Sequence, residues 1–337
     1  IEEAGYETAY IGKWHLASDG ELEQKPTIDH TITAIPKELR GGYTGFWRTS
    51  DVLEFTSHGY DGYVFDENNN RVDFKGYRAD CITDLALEFF DQYDKQKPFF
   101  MTISHIEPHH QNDRKHYEGP IGSKEKYANY EVPADLAALE GDFREEYPDY
   151  LGACASLDEN LGKLIDRLKK EGLYDNTVII FGADHGSHFK TRNRDGHLEG
   201  YDDYKRTGHD AALRVPLVIA GGAFKGGKVE EQIVSTASLP KTILALAGVN
   251  VGDAMIGVIS SLISLAFLFQ LFSIFVVQHI KNVKMVAIPI HLVSQMFFLA
   301  LYLLPFLGIP AQFRSAAVIG CLLIGYFGNY LVPSVIF

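Results

Sequence analysis

Four short stretches hold the side chains whose types and spacing could do chemistry. "GYETAYIGKWHL" places Lys13 two residues before His15, and "SHIEPHH" carries His105, His109 and His110. "ADHGSH" brings Asp184, His185 and His188 together, and "YKRTGHD" sets His209 four residues after Lys205. A lysine is a fixed positive charge and an imidazole titrates near neutrality, so the two together suit holding an anion and moving a proton. If the strand that contains "ETAYIG" continues, Lys13 and His15 point to one face, because side chains alternate along a strand. The alternative for this pair is a solvated strand end beside a core histidine.

Such groups need rigid elements beneath them. "IEEAGY" reads as a helix tail stopped by Gly5, followed by a strand. "GYVFDENNNRVDF" reads as a hairpin around an Asn-rich turn. "DCITDLALEFFDQY" has helical spacing, and "KPFFMTIS" is a strand that runs into "HIEPHH". Residues 111–146 look irregular. "YLGACASLDENLGKLIDRLKKEG" is an amphipathic helix that ends at Gly172. "NTVIIFGAD" and "RVPLVIAGG" read as strands, and "SLPKTILALAG" as a helix with an early proline. This alternation predicts an α/β fold, a mostly parallel sheet with helices on both faces, where ligands sit beyond the carboxyl ends of the strands. Three strands ending in polar clusters predict one site along a single sheet edge.

Composition divides the chain in two. Residues 257–337 contain no Asp or Glu, and their only cations are Lys281, Lys284 and Arg314. The formal net charge of −13 therefore splits into +3 for this tail and −16 for the rest. An acidic domain of this kind excludes nucleic acid as a partner. The tail holds three apolar stretches of spanning length, Gly257 to Gln278, Met285 to Leu307 and Ala316 to Phe337, which predicts about three transmembrane helices and contact with a lipid bilayer. The two lysines of "HIKNVK" place that link in the cytoplasm and the acidic domain, 1–256, on the other side, periplasmic or extracellular. Cys81, Cys154 and Cys321 form no CxxC pair and no disulfide framework.

"GYETAYIGKWHL" resembles the second signature of the sulfatase family, and "DNTVIIFGADHG" resembles a later block in which an apolar strand ends in Asp-His-Gly or Asp-Asn-Gly. "KGYRADCITDLALEFF", "PFFMTISHIEPHH", "LDENLGKLIDRLKKEGLYDNT", "YKRTGHDAALRVPLVI" and "LPKTILALAGV" follow in the family's order. The resemblance implies an alkaline-phosphatase-like fold and hydrolysis of sulfuric esters, with a sulfated carbohydrate or small molecule as substrate. It implies that Lys13 and His15 touch the sulfate, with His109 as proton donor or sulfate ligand. Lys205, nine residues before Arg214 of "RVP", would be the second sulfate-binding lysine, with His209 beside it as a substrate contact. Asp184 and His185 would bind a divalent metal, calcium in most members, with Mg2+ or Mn2+ as alternatives. His185 stands where many members have Asn, and calcium prefers oxygen ligands. His105 and His110 are candidates for shaping the pocket, and His188 and His197 for touching substrate.

The pattern also has gaps. The family's nucleophile is a formylglycine made from a C-x-P-S-R type motif, which none of the three cysteines fits, and the paired metal-binding aspartates of its first strand have no counterpart. The expectation is an N-terminally truncated fragment, inactive as it stands, with nucleophile and aspartates upstream of Ile1. "IGVISSLISLAFLFQLF" and its basic link resemble part of a major-facilitator transporter, which suggests a fusion near Ile256. Two other functions stay open. One is a phosphodiester or phosphoethanolamine-transfer enzyme of the same superfamily. The other is a transporter fragment carrying an accessory domain.

Overall fold

The structure is a computed structural model. It describes residues 1–18, 29–111, 113–191, 204–205, 207–222, 224 and 226–248, together with 292–297, 300, 317, 320, 321 and 324 of the tail. The chain divides into two units, Ile1–Glu231 and Gln232–Phe337.

In the first unit, a 3-10 turn at Glu2–Ala4 stops at Gly5, whose φ of 86° is left-handed, and β1 (Glu7–Lys13) follows. β1 is the strand on which the sheet is built. It pairs in parallel with β2 (Phe46–Ser50) on one side and β6 (Phe99–Ser104) on the other. Its Ala9 and Ile11 are fully buried. Gly12 has a φ of 100°, and a Cβ there would lie 2.1 Å from the Ser104 carbonyl oxygen, so the close β1–β6 approach requires glycine.

After β2 come a single helical turn, α1 (Leu53–Thr56), the two-residue β3 (Ser57–His58), and the expected hairpin of β4 (Asp61–Asp66) and β5 (Arg71–Lys75). β4 joins the sheet antiparallel to β2, and the strand order is β3-β4-β2-β1-β6 with β5 on β4. The sheet is therefore mixed rather than mostly parallel. Its antiparallel half is β4 with its neighbours β2, β3 and β5, and only the β4–β5 pairing follows from the reversal of the hairpin.

α2 (Arg78–Gln92) lays Ile82, Leu85, Ala86, Phe89 and Phe90 on this sheet, where they pack with Phe46, Tyr93 and Phe99. α3 (Ser123–Tyr127) and α4 (Ala134–Ala137) fill part of the stretch expected to be irregular. α5 (Phe143–Lys170) adds Leu164 and Leu168 to the core. It ends at Gly172, with φ 70°, through paired bonds from Gly172 N to Lys169 O (3.0 Å) and Leu173 N to Leu168 O (2.8 Å). The helix starts seven residues before the predicted Tyr150 and runs through Pro148. A proline there removes a helical hydrogen bond, yet Phe143 is buried with Tyr117, Leu136 and Phe189, and that packing holds the extra turns.

β7 (Ile179–Gly182) and β8 (Leu217–Ala220) form a separate two-stranded antiparallel sheet, with the single-turn α6 (Asp210–Leu213) just before β8. The three polar clusters thus do not end strands of one sheet: β1 and β6 share a sheet, and β7 belongs to the other.

In the second unit Ser235 caps a short 3-10 turn, its hydroxyl accepting from Ala237 N at 3.3 Å. That turn leads into α7 (Leu239–Leu246), with Pro240 in the first turn as expected. The boundary near Ile256 and most of the three apolar stretches lie outside the described residues. Among the described residues no helix is long and apolar enough to cross a membrane.

Candidate functional site

β1 delivers Lys13 at its last position, where the ammonium meets the carboxylate of Glu54 on α1 at 3.1 and 3.2 Å. Both side chains are largely buried, at 14% and 6% exposure. Burial alone would raise the carboxyl of Glu54, but Lys13 and the hydrogen bonds it accepts outweigh this and hold it below its ordinary value. Glu54 is the site residue that sequence reasoning missed. A lone glutamate forty-one positions from its lysine carries no local signal.

His15 departs from the strand-face expectation. The strand ends at Lys13, and His15 adopts a left-handed φ of 53°, its N–H donating to the Asp51 carbonyl at 2.8 Å. The carboxylate of Asp51 accepts from the next three backbone amides, those of Leu16, Ala17 and Ser18, at 2.9 to 3.0 Å. That clamp turns the chain at His15, so alternation along a strand no longer sets its direction.

His109 lies past β6. Its Nδ1 is 2.6 Å from the His110 carbonyl, which can only accept, so Nδ1 carries the proton and Nε2 presents a lone pair. The loop is pinned on both sides of His109. Glu107 takes a 2.7 Å bond from the buried Arg78 guanidinium, and the Gln111 side chain accepts from Arg78 at 3.1 Å. Gln111 also donates to the Glu54 carbonyl at 3.0 Å, which joins this loop to α1.

Lys205 completes the cluster. Its ammonium stands 3.1 Å from His109 Nε2 and 3.2 Å from His185 Nε2. The preceding Tyr204 is buried among His109, His110 and Tyr117, and its carbonyl accepts from His188 N at 3.0 Å. Burial, Lys13 and Lys205 together push the His109 pKa down to about 3, so the ring is a neutral acceptor at neutral pH. Lys13, Glu54, His109, His185 and Lys205 therefore form one group, while the other candidates take different places. His110 and His188 are buried, His110 packing on Tyr117 and Tyr204 and His188 fixing Tyr204 through its backbone. His105 sits 3.5 Å from the Thr83 hydroxyl. His209 is exposed and lines a cavity of about 370 Å³ with Asp135, Leu136, Gly208, Asp210 and Ala211. His197 lies outside the described residues.

The metal expectation for Asp184 and His185 does not fit this geometry. Both ring nitrogens of His185 are engaged, Nδ1 with the Gly186 carbonyl at 2.9 Å and Nε2 with Lys205. The Asp184 side chain is 87% exposed, and among the described residues no three His, Cys, Asp or Glu side chains gather as a metal-holding group. An ammonium against the would-be ligand nitrogen opposes a cation at that point.

An α/β unit thus brings two lysines and a neutral imidazole into one half-buried spot, with a glutamate as counter-charge. The sulfatase family model matches residues 1–249, and the chain belongs to the sulfatase family. It is 27% identical to an ulvan-active sulfatase of Formosa agariphila over 75% of this chain and 46% of that protein. It is 24% identical to an N-acetylglucosamine-6-O-sulfatase of Bacteroides thetaiotaomicron over 74% of this chain and 53% of that protein. The chain spans about half the length of these relatives. A solved structure from the glycosaminoglycan metabolism of B. thetaiotaomicron superposes with a TM-score of 0.58 at 21% identity, covering 75% of this chain and 52% of the other. That likeness concerns the fold.

Proposed function

We propose that this chain carries the sulfate-holding part of a sulfuric ester hydrolase acting on carbohydrate sulfates. The supporting observation is the Lys205 ammonium between His109 Nε2 and His185 Nε2, in electrostatic reach of Lys13. The named activities of the matched relatives, on ulvan and on N-acetylglucosamine 6-sulfate, support the carbohydrate class.

In this reading the two ammonium groups hold the sulfuryl oxygens, where low local dielectric strengthens them. His109 begins as a neutral acceptor. An arriving anion offsets the lysine charges that depress the imidazole and lifts its pKa, so the ring can then carry a proton toward the leaving oxygen. Burial pushes the thiols of Cys81 and Cys154 each up to about 11, which leaves both as unreactive thiols at neutral pH. Formylglycine, the family's nucleophile, would supply the covalent attack on sulfur. Among the described residues no three His, Cys, Asp or Glu side chains gather to hold a metal. The acid-free tail, residues 257–337, is read as membrane-spanning on its composition.

Calorimetry tests the reading with N-acetylglucosamine 6-sulfate and the unsulfated sugar. The sulfated sugar should bind the full chain, and Lys205→Ala should weaken it about tenfold or more. Equal affinity for the two sugars would overturn the proposal.

A further inference from the structure

The Lys13–Glu54 pair is more than a strand-end salt bridge, because of where it lies. Lys13 ends β1, the strand paired in parallel on both sides in the main sheet, and Glu54 sits on a helical turn tied by its carbonyl to Gln111, two residues past His109. Glu54 and His109 are close enough to shift each other's protonation, so the carboxylate belongs to the same spot as the two lysines. A carboxylate facing an anion site repels the incoming ligand. That repulsion grows with the charge of the ligand.

Building on the reading of the site as sulfate-holding, we infer that Glu54 is a specificity residue that selects singly charged sulfate esters over doubly charged phosphate esters. Glu54 pairs with Lys13, while the Lys205 ammonium lies against Nε2 of His109 and of His185. A sulfate monoester carries one negative charge at any ordinary pH. A phosphate monoester carries nearly two above its second pKa of about 6. Shape and oxygen geometry are nearly alike in the two esters, so contact alone separates them poorly. A fixed carboxylate separates them through charge, since its repulsion doubles for the dianion.

The pair of 4-nitrophenyl sulfate and 4-nitrophenyl phosphate at pH 8 reads this directly, by calorimetry on the full 337-residue chain. The wild-type chain should prefer the sulfate. Glu54→Gln keeps the shape and the backbone bond to Gln111 but removes the charge, and it should shift the sulfate-to-phosphate affinity ratio about tenfold toward phosphate. Glu54→Asp keeps the charge and should keep the preference for sulfate. Lys13→Met, which leaves Glu54 charged, should move the ratio the opposite way, and it decides the matter if Glu54→Gln does not fold. A ratio unchanged in the folded variants overturns the role of Glu54 while leaving the sulfate-holding site intact. A wild-type chain that binds neither ester overturns that site and this inference with it.

Discussion

Gln111 donates from Nε2 to the backbone carbonyl of Glu54 across 3.0 Å, and so couples the loop of His109 to the turn that carries the counter-charge of Lys13. The other end of the same amide accepts from Arg78, whose guanidinium also bonds Glu107. One buried network therefore sets the spacing between the His109 ring and the lysine at the end of β1.

The first prediction concerns that network. Arg78 and Glu107 are 1% and 2% exposed, so removing either partner strands a buried charge. Arg78→Met or Glu107→Leu should each cost about 3–5 kcal/mol of stability. Gln111→Ala should cost less, about 1–3 kcal/mol, because it orphans neutral groups and one hydrogen bond to the guanidinium. Urea unfolding midpoints would check the order. A Gln111 variant as damaged as the Arg78 variant would mean the amide, not the ion pair, holds the loop.

Gly12 gives the second. Its φ is 100°, and only 2.1 Å would separate an added Cβ from the Ser104 carbonyl oxygen, so no side chain fits where β1 meets β6. Gly12→Ala should lose about 1–3 kcal/mol to backbone strain alone, with the steric clash added to it. A thermal melt matching wild type would show that the strands can separate without penalty.

How much of this was legible from sequence differs by residue. Lys13, His109 and Lys205 stand in ordered motifs, and the structure brings all three to one spot. The hairpin was readable from its Asn-rich turn, but not its attachment to β2, because strand order depends on contacts far apart in sequence. The helix was expected from Tyr150, and it starts at Phe143, whose burial holds the turns that run through Pro148. His15 looked like an alternate strand position until Asp51 turned the chain. Glu54 was invisible for a simpler reason: a counter-charge is defined by what it faces.

The third prediction is a pH dependence of stability. The folded pKa of His109 is pushed down to about 3, below the unfolded imidazole, which lies at about 6.5. Between those values the unfolded chain takes up a proton that the folded site refuses. Acidification from about 6.5 toward 3 should therefore destabilise the fold, and the stability is fully present only above about 6.5. Glu54, held below its ordinary range, adds a loss of the same sign at the acid end. His109→Asn should flatten the upper part of the profile. An unchanged slope between pH 6 and 5 in that variant would assign the proton uptake elsewhere.

The last prediction links Lys205 to the protonation of His109. The ammonium donates to His109 Nε2 and depresses the ring through its charge, after burial and Lys13. Lys205→Met removes both effects but leaves burial and Lys13 in place. The pKa of His109 should then rise without regaining the ordinary imidazole range, as followed by NMR titration of the labelled ring. His185 Nε2 loses the same donor, so its ring should become more mobile or turn to solvent. Affinity for 4-nitrophenyl sulfate should fall about tenfold or more, the scale expected for one charge-assisted contact. Lys205→Arg keeps a cation but spreads it over a planar fork that two imidazole lone pairs cannot both meet head-on, so it should restore charge without restoring full affinity. A His109 pKa that stays near 3 in Lys205→Met would show that burial and Lys13 suffice. The two lysines would then not act on the ring together.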